Sequence, residues 1–467
     1  MLKTIISIAL FGFLYLLPSV AQQPDYAKLK SEAEQVYAAG SYARAHELYS
    51  KVDKAALSPA DVRWVDFRLA DTSWRAQSAT QTADNTKFEQ AQKQLEELIR
   101  TSEKDDERDL VWAEAHEALA DLFWTRPNNI NWGGAWPHYQ AALDWWAGRR
   151  EIDQARGRYL RIVFKAAEPP RQNEYYYYTY YGNYIPLDIL ENALKITTSA
   201  NDQAHLHFLI AMTMRYTGGD WDTRQRVPEE FEAALKPGKQ TDWYDDALIY
   251  YAEWMNANGI VRQLDDGQWL QEPDYDKALE LFRRLTREFA KGETRYYDQA
   301  IQQIKQITDP TLSVSVSNVF LPESEIQFAL NTRNLKRVDF TLFKVDLTRD
   351  VRFGRDFELE EGDTDESGNW IQKVKPVGPA IKAWSKDIAD AGGGHKPYSE
   401  QPRIEGKLPV GAYLLEAKSG SLSARDLLLV TDANLVVKSS PKQALVYFSH
   451  ALSGAPIANA NISLWER

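Results

Sequence analysis

The chain has no cysteine. Disulfides, thiol chemistry and a lipid-modified N-terminal cysteine are therefore excluded, and the fold must be held by its cores. It has no excess of basic residues either: 55 Lys plus Arg stand against 67 Asp plus Glu, a net charge of -12. A nucleic-acid binder needs a basic face to displace counterions from phosphates, and no Lys/Arg block supplies one. Past the first residues, no apolar run approaches the ~20 residues of a membrane-spanning helix. Metal-ligand spacing is missing too. The seven histidines are His46, His116, His138, His205, His207, His395 and His450. Only His205 and His207 are close in sequence, and residues two apart do not share a helix face. His116-Glu117 opens like a zinc-protease helix, but Ala120 stands where the second histidine belongs. Structural roles are expected for all seven, with no metal and no cofactor.

What is present reads as an exported, multidomain protein. The 467 residues are 44% hydrophobic and 26% charged, which fits a globular chain of about three domains rather than a disordered one. Lys3, the apolar stretch Ile5 to Leu17 and the small-residue site Ser19-Val20-Ala21 form a secretory signal over residues 1–21. The mature chain is expected to start near Gln22, soluble in the periplasm or secreted. Its membrane contact would be limited to the signal peptide before cleavage.

Residues 22–308 read as helices. An aromatic residue, Ala three on, a large residue seven on and an apolar residue ten on recur as Tyr42, Ala45, Tyr49, Val52. The same offsets give Phe88, Ala91, Leu95, Leu98 and Tyr275, Ala278, Phe282, Leu285, with further copies from Tyr244 and Tyr297. These offsets place four side chains on one helix face, and the small Ala admits a neighbouring helix. With Ala33, Tyr37 and Gly40 upstream, the first copy resembles a tetratricopeptide repeat. Tyr275 and Tyr297 lie too close for successive ~34-residue repeats, so an irregular helical-hairpin solenoid is expected.

At Asp309-Pro310 the period changes from 3.6 to 2. Leu312, Val314 and Val316 alternate with serines, and Ile326, Phe328 and Leu330 alternate, as do Val338, Phe340 and Leu342. An antiparallel β-sandwich is expected over 309–431, with a long polar insertion at about 349–407 in which Ile381 to Ala391 makes a short helix. A second, incomplete β unit is expected over 432–467, with strands at Leu435–Lys438, Ala444–Ser449 and Asn459–Trp465. Three strands cannot cover their own apolar face, so the natural product is expected to continue past Arg467.

Catalytic constellations are weak. Asp363-Thr-Asp365-Glu-Ser367-Gly368 begins like a calcium loop, but Val374 occupies the position of the bidentate glutamate. Gly392-Gly-Gly-His-Lys396 lacks phosphate-loop spacing. Tyrosines crowd from Tyr175 to Tyr184, and Tyr175, Tyr177, Tyr180 and Tyr184 form a candidate ligand or partner surface. Packing between helices is favoured over a stacking platform for sugar or peptide. No carboxylate pair stands out as a glycosidase acid and base.

Leu408-Pro-Val-Gly411-Ala-Tyr413, Asp426-Leu-Leu-Leu-Val430-Thr-Asp432 and the strands that follow resemble macroglobulin domains of the exported bacterial alpha-2-macroglobulin family. The resemblance covers about 310–467, and Asn334 to Leu347 is similar to an early strand pair of the family's first macroglobulin domain. It implies an N-terminal scaffold of a periplasmic protease inhibitor or defence protein. Proteases or periplasmic proteins would be its partners, and no bait, thioester or catalytic site lies in this chain. The rival expectation is a helical, aromatic-lined polysaccharide-degrading enzyme or a surface-glycan-binding protein.

Overall fold

The computed structural model describes residues 26–78, 85–102, 104–125, 131–149, 152–167, 185–217, 219–316, 319–347, 370–376, 378–388 and 395–461. The chain divides into two compact units, Met1–Trp243 and Tyr244–Arg467.

The first unit is helical. Its elements are α1 (Tyr26–Ala38), α2 (Tyr42–Tyr49), α3 (Pro59–Ser78), α4 (Asn85–Arg100), α5 (Leu110–Thr125), α6 (Trp132–Ala147), α7 (Ile152–Ala167), α8 (Leu187–Ile196), α9 (Ala200–Thr217) and α10 (Trp221–Leu235). Successive helices pair as hairpins, α1 with α2, α3 with α4, α5 with α6 and α9 with α10. Helix α3 also touches α5, so hairpins stack as in a helical repeat array. The recurring alanines explain the closeness of packing: Ala45 and Ala91 are wholly buried, with Tyr49 and Leu95 beside them. Gly40 takes φ +78° between α1 and α2, and the Ser41 N–H donates to the Val36 carbonyl, closing α1 with the left-handed cap that glycine favours. Helix α5 is buried nearly all round, with Val111, Ala115, Leu119 and Leu122 in one cluster with Phe67, Trp74, Phe88 and Leu95.

The second unit opens with three more helices, α11 (Tyr244–Ala257), α12 (Tyr275–Glu288) and α13 (Tyr297–Thr308). A hairpin of β1 (Ile260–Gln263) and β2 (Trp269–Glu272) separates α11 from α12. Each patterned tyrosine begins its helix, and Ala247, Ala278 and Ala300 are wholly buried. Gly259, at φ +64°, links α11 to β1 where a Cβ would lie 1.8 Å from the Glu272 carbonyl oxygen. Only glycine fits that approach.

The strands that follow are mostly antiparallel and lie in open sheets. They are β3 (Thr311–Ser315), β4 (Val319–Phe320), β5 (Ile326–Gln327), β6 (Ala329–Arg333), β7 (Arg337–Val345), β8 (Ala380–Asp387), β9 (Tyr398–Glu400), β10 (Arg403–Ile404), β11 (Gly411–Ser419), β12 (Leu422–Val430), β13 (Ala433–Ser440) and β14 (Gln443–His450). One sheet runs β4-β12-β11-β7-β8 and another β3-β6-β9, while β5 pairs β10 and β13 pairs β14. The period-2 residues Val338, Phe340 and Leu342 are buried, and one core cluster joins them to Val314 and Leu330 of the three-stranded sheet. The turn after β6 ties strands to helices: Asn334 Nδ2 donates to the Ile307 carbonyl at 2.8 Å and Arg333 Nη1 to the Gln306 carbonyl at 2.9 Å. These bonds satisfy carbonyls that the end of α13 leaves without a helical partner.

Three expectations are corrected here. The described part of the expected helix, Ile381 to Ile388, is not helical, because Ala380–Asp387 is strand β8, paired with β7. Its Ala/Lys/Asp composition suits a helix, but Trp384 stacks on Phe340 at 5.2 Å, and this long-range packing overrides local preference. The segment 349–407 is more than a polar insertion, since β8, β9 and β10 all pair with strands outside it. Asn459–Asn461, the described part of an expected strand, is turn and irregular chain.

Two outcomes test this description. Gly259→Ala is expected to lower stability by at least about 2 kcal/mol, read as faster hydrogen exchange in α11 and β1. His205 lies between Phe164 at 4.6 Å and Trp243 at 3.6 Å, and burial pushes its imidazole down to about 3 from 6.5. The unfolded chain takes up this proton below 6.5 and the folded chain does not until about 3. Stability of the first unit therefore falls with pH across that window, by about 1.4 kcal/mol per unit for this group. His205→Phe should flatten that slope in thermal unfolding.

Candidate functional site: a charged groove in the helical unit

Three helices of the first unit carry charged stripes with one spacing. Helix α3 presents Arg68, Asp71 and Arg75; α5 presents Glu114, Glu117 and Asp121; α7 presents Arg158, Arg161 and Lys165. Offsets of three and seven keep each stripe on one helix face. Bridged partners are 46 residues apart between α3 and α5 and 44 apart between α5 and α7. The stripes, with Glu34, Tyr37 and Tyr42 of the first hairpin, line a groove of about 520 Å³.

Pairing across the stripes is dense. Arg68 holds Glu34 with two bonds, at 2.8 and 2.6 Å. Tyr37 donates to Asp71 at 2.6 Å. Arg75 bridges two carboxylates, Asp71 at 2.7 Å and Asp121 at 2.6 Å. Lys165 bridges Glu117 at 2.6 Å and Asp121 at 2.8 Å, and Arg161 reaches Glu117 at 2.7 Å. Arg158 pairs with Glu114. Tyr139, on α6, donates to Asp121 at 2.8 Å. Burial alone would raise the Asp121 carboxyl, but the Lys165 and Arg75 charges and bonds outweigh it and hold it at about 2. The same carboxylates raise Lys165 against its own desolvation.

One atom breaks the pattern. Glu117 is 3% exposed, and its Oε1 takes both Lys165 and Arg161. Its Oε2 is buried with no hydrogen-bond partner among the described residues. Next to it, the Arg161 side chain is 48% exposed and bonds through one terminal nitrogen. The groove wall therefore holds a buried, unmet acceptor and, on the exposed Arg161, spare donors.

Tyr175, Tyr177, Tyr180 and Tyr184 lie outside the described residues, as do Asp363 to Gly368 and Gly392 to Gly394. The histidines contact protein groups: His46 meets Thr72 at 3.0 Å, His116 meets His138 at 2.9 Å, and His207 meets Glu230 at 2.7 Å. Among the described residues, no group of three or more His, Asp or Glu side chains is set to hold a metal ion. No helix among them is long and apolar enough to cross a membrane. The groove residues were missed because each stripe, taken singly, reads as a solvated helix face. The repeated offsets 68-71-75, 114-117-121 and 158-161-165 were the available signal.

Asp121→Ala is expected to cost about 3–5 kcal/mol, since it strands Arg75 and Lys165 in a buried setting. Arg161→Gln, at the open rim, should change stability by less than about 1 kcal/mol. Acid should act through the same carboxylate. Its pairing stabilises the fold above the ordinary value of 3.8 and is lost as pH falls through about 2, a change of about 2 kcal/mol. Chemical denaturation across pH would measure both effects.

Among solved structures, the chain is similar to the C-terminal part of a TPR repeat-containing protein from Cytophaga hutchinsonii, at 16% identity and a TM-score of 0.35, covering 59% of this chain and 85% of that one. No family model matches the chain, and no curated protein matches it.

Proposed function

We propose that the helical unit is a docking scaffold whose groove receives an extended segment of a partner protein. The observation that carries this reading is the buried Glu117 Oε2, without a partner among the described residues, in the wall of an open groove. A buried acceptor left unmade costs about 1–3 kcal/mol, which a donor on a bound partner would recover. A peptide backbone supplies an N–H donor and a carbonyl acceptor in alternation. Those groups match Glu117 Oε2 and the spare N–H groups of Arg161. A groove of about 520 Å³ suits a few residues of such a segment.

At a finer level, we assign the chain to an exported, periplasmic or secreted protein of the alpha-2-macroglobulin kind. Its role would be the N-terminal scaffold of a protease inhibitor or defence protein, with proteases or periplasmic proteins as partners. The macroglobulin-like motifs support this reading, as does the signal-like N-terminus. So does Tyr413, whose hydroxyl donates to the Pro409 carbonyl at 2.6 Å in the manner of a tyrosine corner of β-sandwich domains. The polysaccharide-degrading alternative is less well served. A glycosidase acid must hold its proton near neutral pH, whereas Asp121 is held ionised down to about 2.

The test is photo-crosslinking in the native host. Benzoylphenylalanine in place of Tyr42, in the groove wall, should give protein adducts, and in place of exposed Glu89 on α4 it should not. Arg161→Glu should reduce the adduct yield at least tenfold. Equal labelling from both positions, or release of reducing sugar from soluble polysaccharide by the purified chain, would overturn the reading.

A further inference from the structure

Helices α6, α7 and α8 border a second cavity, of about 310 Å³. Its apolar side is formed by Trp146, Tyr159 and Ile196, and its polar side by Arg149, Arg156 and Lys195. The chain as a whole carries a net charge of -12, yet among the described residues no carboxylate lines this cavity. Among the described residues, the cations are weakly engaged. Arg156 pairs at 3.3 Å with Asp153, whose side chain is 97% exposed and so screened by water. Lys195 donates to the neutral Asn192 at 3.2 Å. Arg149 lies over the Trp145 ring at 3.8 Å and donates to the Trp145 carbonyl. Asp144 and Asp188 act on Tyr159, whose phenol burial and these two charges push up to about 12, but neither lines the cavity.

Two buried donors add an independent observation. Trp146 Nε1 and Arg156 Nε have no acceptor among the described residues, and Trp146 is only 3% exposed. In the charged groove the unmet group is an acceptor; here, among the described residues, the unmet groups are donors. Arg156 also stands near the first turn of α7, whose N-terminal end is electropositive. A bare anion would leave the apolar side unused, and a neutral apolar molecule would leave the donors unmade.

We propose that this cavity binds a small carboxylate with an aromatic or apolar body, its ring against Trp146 and Tyr159 and its carboxylate at Arg156 and Lys195. A volume of about 310 Å³ sits at the lower end of ligand pockets and suits a single-ring acid. The free acid, rather than the carboxyl end of a peptide, is the assigned ligand, because the cavity has room for little beyond one ring and its acid group.

Isothermal titration of the full chain with phenylacetate tests this. Phenylacetate should bind, with 2-phenylacetamide and inorganic phosphate each at least tenfold weaker, and the peptide Gly-Gly-Phe weaker as well. Lys195→Gln and Arg156→Gln should each weaken phenylacetate at least tenfold while leaving the amide unchanged. Lys195 is exposed, so its variant keeps the test decisive if the Arg156 variant unfolds. Arg161→Gln, in the other groove, should have no effect. Amide or phosphate binding equal to phenylacetate, tighter binding of the peptide, insensitivity to both substitutions, or no binding of phenylacetate would each overturn the proposal.

Discussion

The helical unit depends on one constraint, the need to neutralise Asp121. This carboxylate is 1% exposed and sits on a helix buried nearly all round. An isolated charge there is prohibitively costly, so its partners must arrive from other helices. They come from three: Arg75 on α3, Tyr139 on α6 and Lys165 on α7. Arg75 then extends the chain of pairs to Asp71, and Tyr37 carries it on to α1. Hydrophobic contact brings such helices together but tolerates sliding. Bonds of 2.6 to 2.8 Å between fixed heights on neighbouring helices do not tolerate it. The alanines set how close the helices come, and the ladder sets their register.

The parts of this fold that were legible in the sequence are those governed by one element at a time. An aromatic residue with Ala three positions on marks a helix and its packing face, and at Tyr42, Tyr244, Tyr275 and Tyr297 it also marks the first turn. Alternation at Val338, Phe340 and Leu342 marks a half-buried strand. What was not legible required a partner distant in sequence. Ala380–Asp387 is a strand because β7 is beside it and Phe340 receives Trp384. Arg68, Glu117 and Lys165 look like ordinary solvated charges until the stacking of hairpins turns three stripes toward one another. Repetition of their spacing was visible; their burial was not.

Two cavities of the helical unit show how the same residue types can be set to opposite tasks. In the groove between the stripes, five basic residues face five acidic ones, and the unmet group is an acceptor. Net neutrality there selects for a ligand that both donates and accepts, and alternation along a backbone is the commonest such pattern. Between α6, α7 and α8 the cations have no opposing carboxylate among the described residues of the wall, and the unmet groups are donors. That imbalance selects for negative charge. Aromatic side chains serve both places differently: Tyr37 and Tyr139 brace carboxylates, while Trp146 and Tyr159 present ring surface.

Stability alone does not account for the ladder. Replacing a buried ion-pair network by well-packed apolar residues is often neutral or stabilising, by about 1–4 kcal/mol in favourable cases. A row of leucines along α3, α5 and α7 would hold those helices at least as firmly. It would also close the groove, because apolar side chains collapse onto one another to exclude water. Charged side chains of this length keep the helices apart at the rim while fixing them at the base. They leave polar groups on a wall that water or a partner can reach. The arrangement gains an open, register-locked surface at the expense of acid tolerance, since every bridge runs through a carboxylate. The proposed docking role would need the first property, and near neutral pH the cost of the second is not felt.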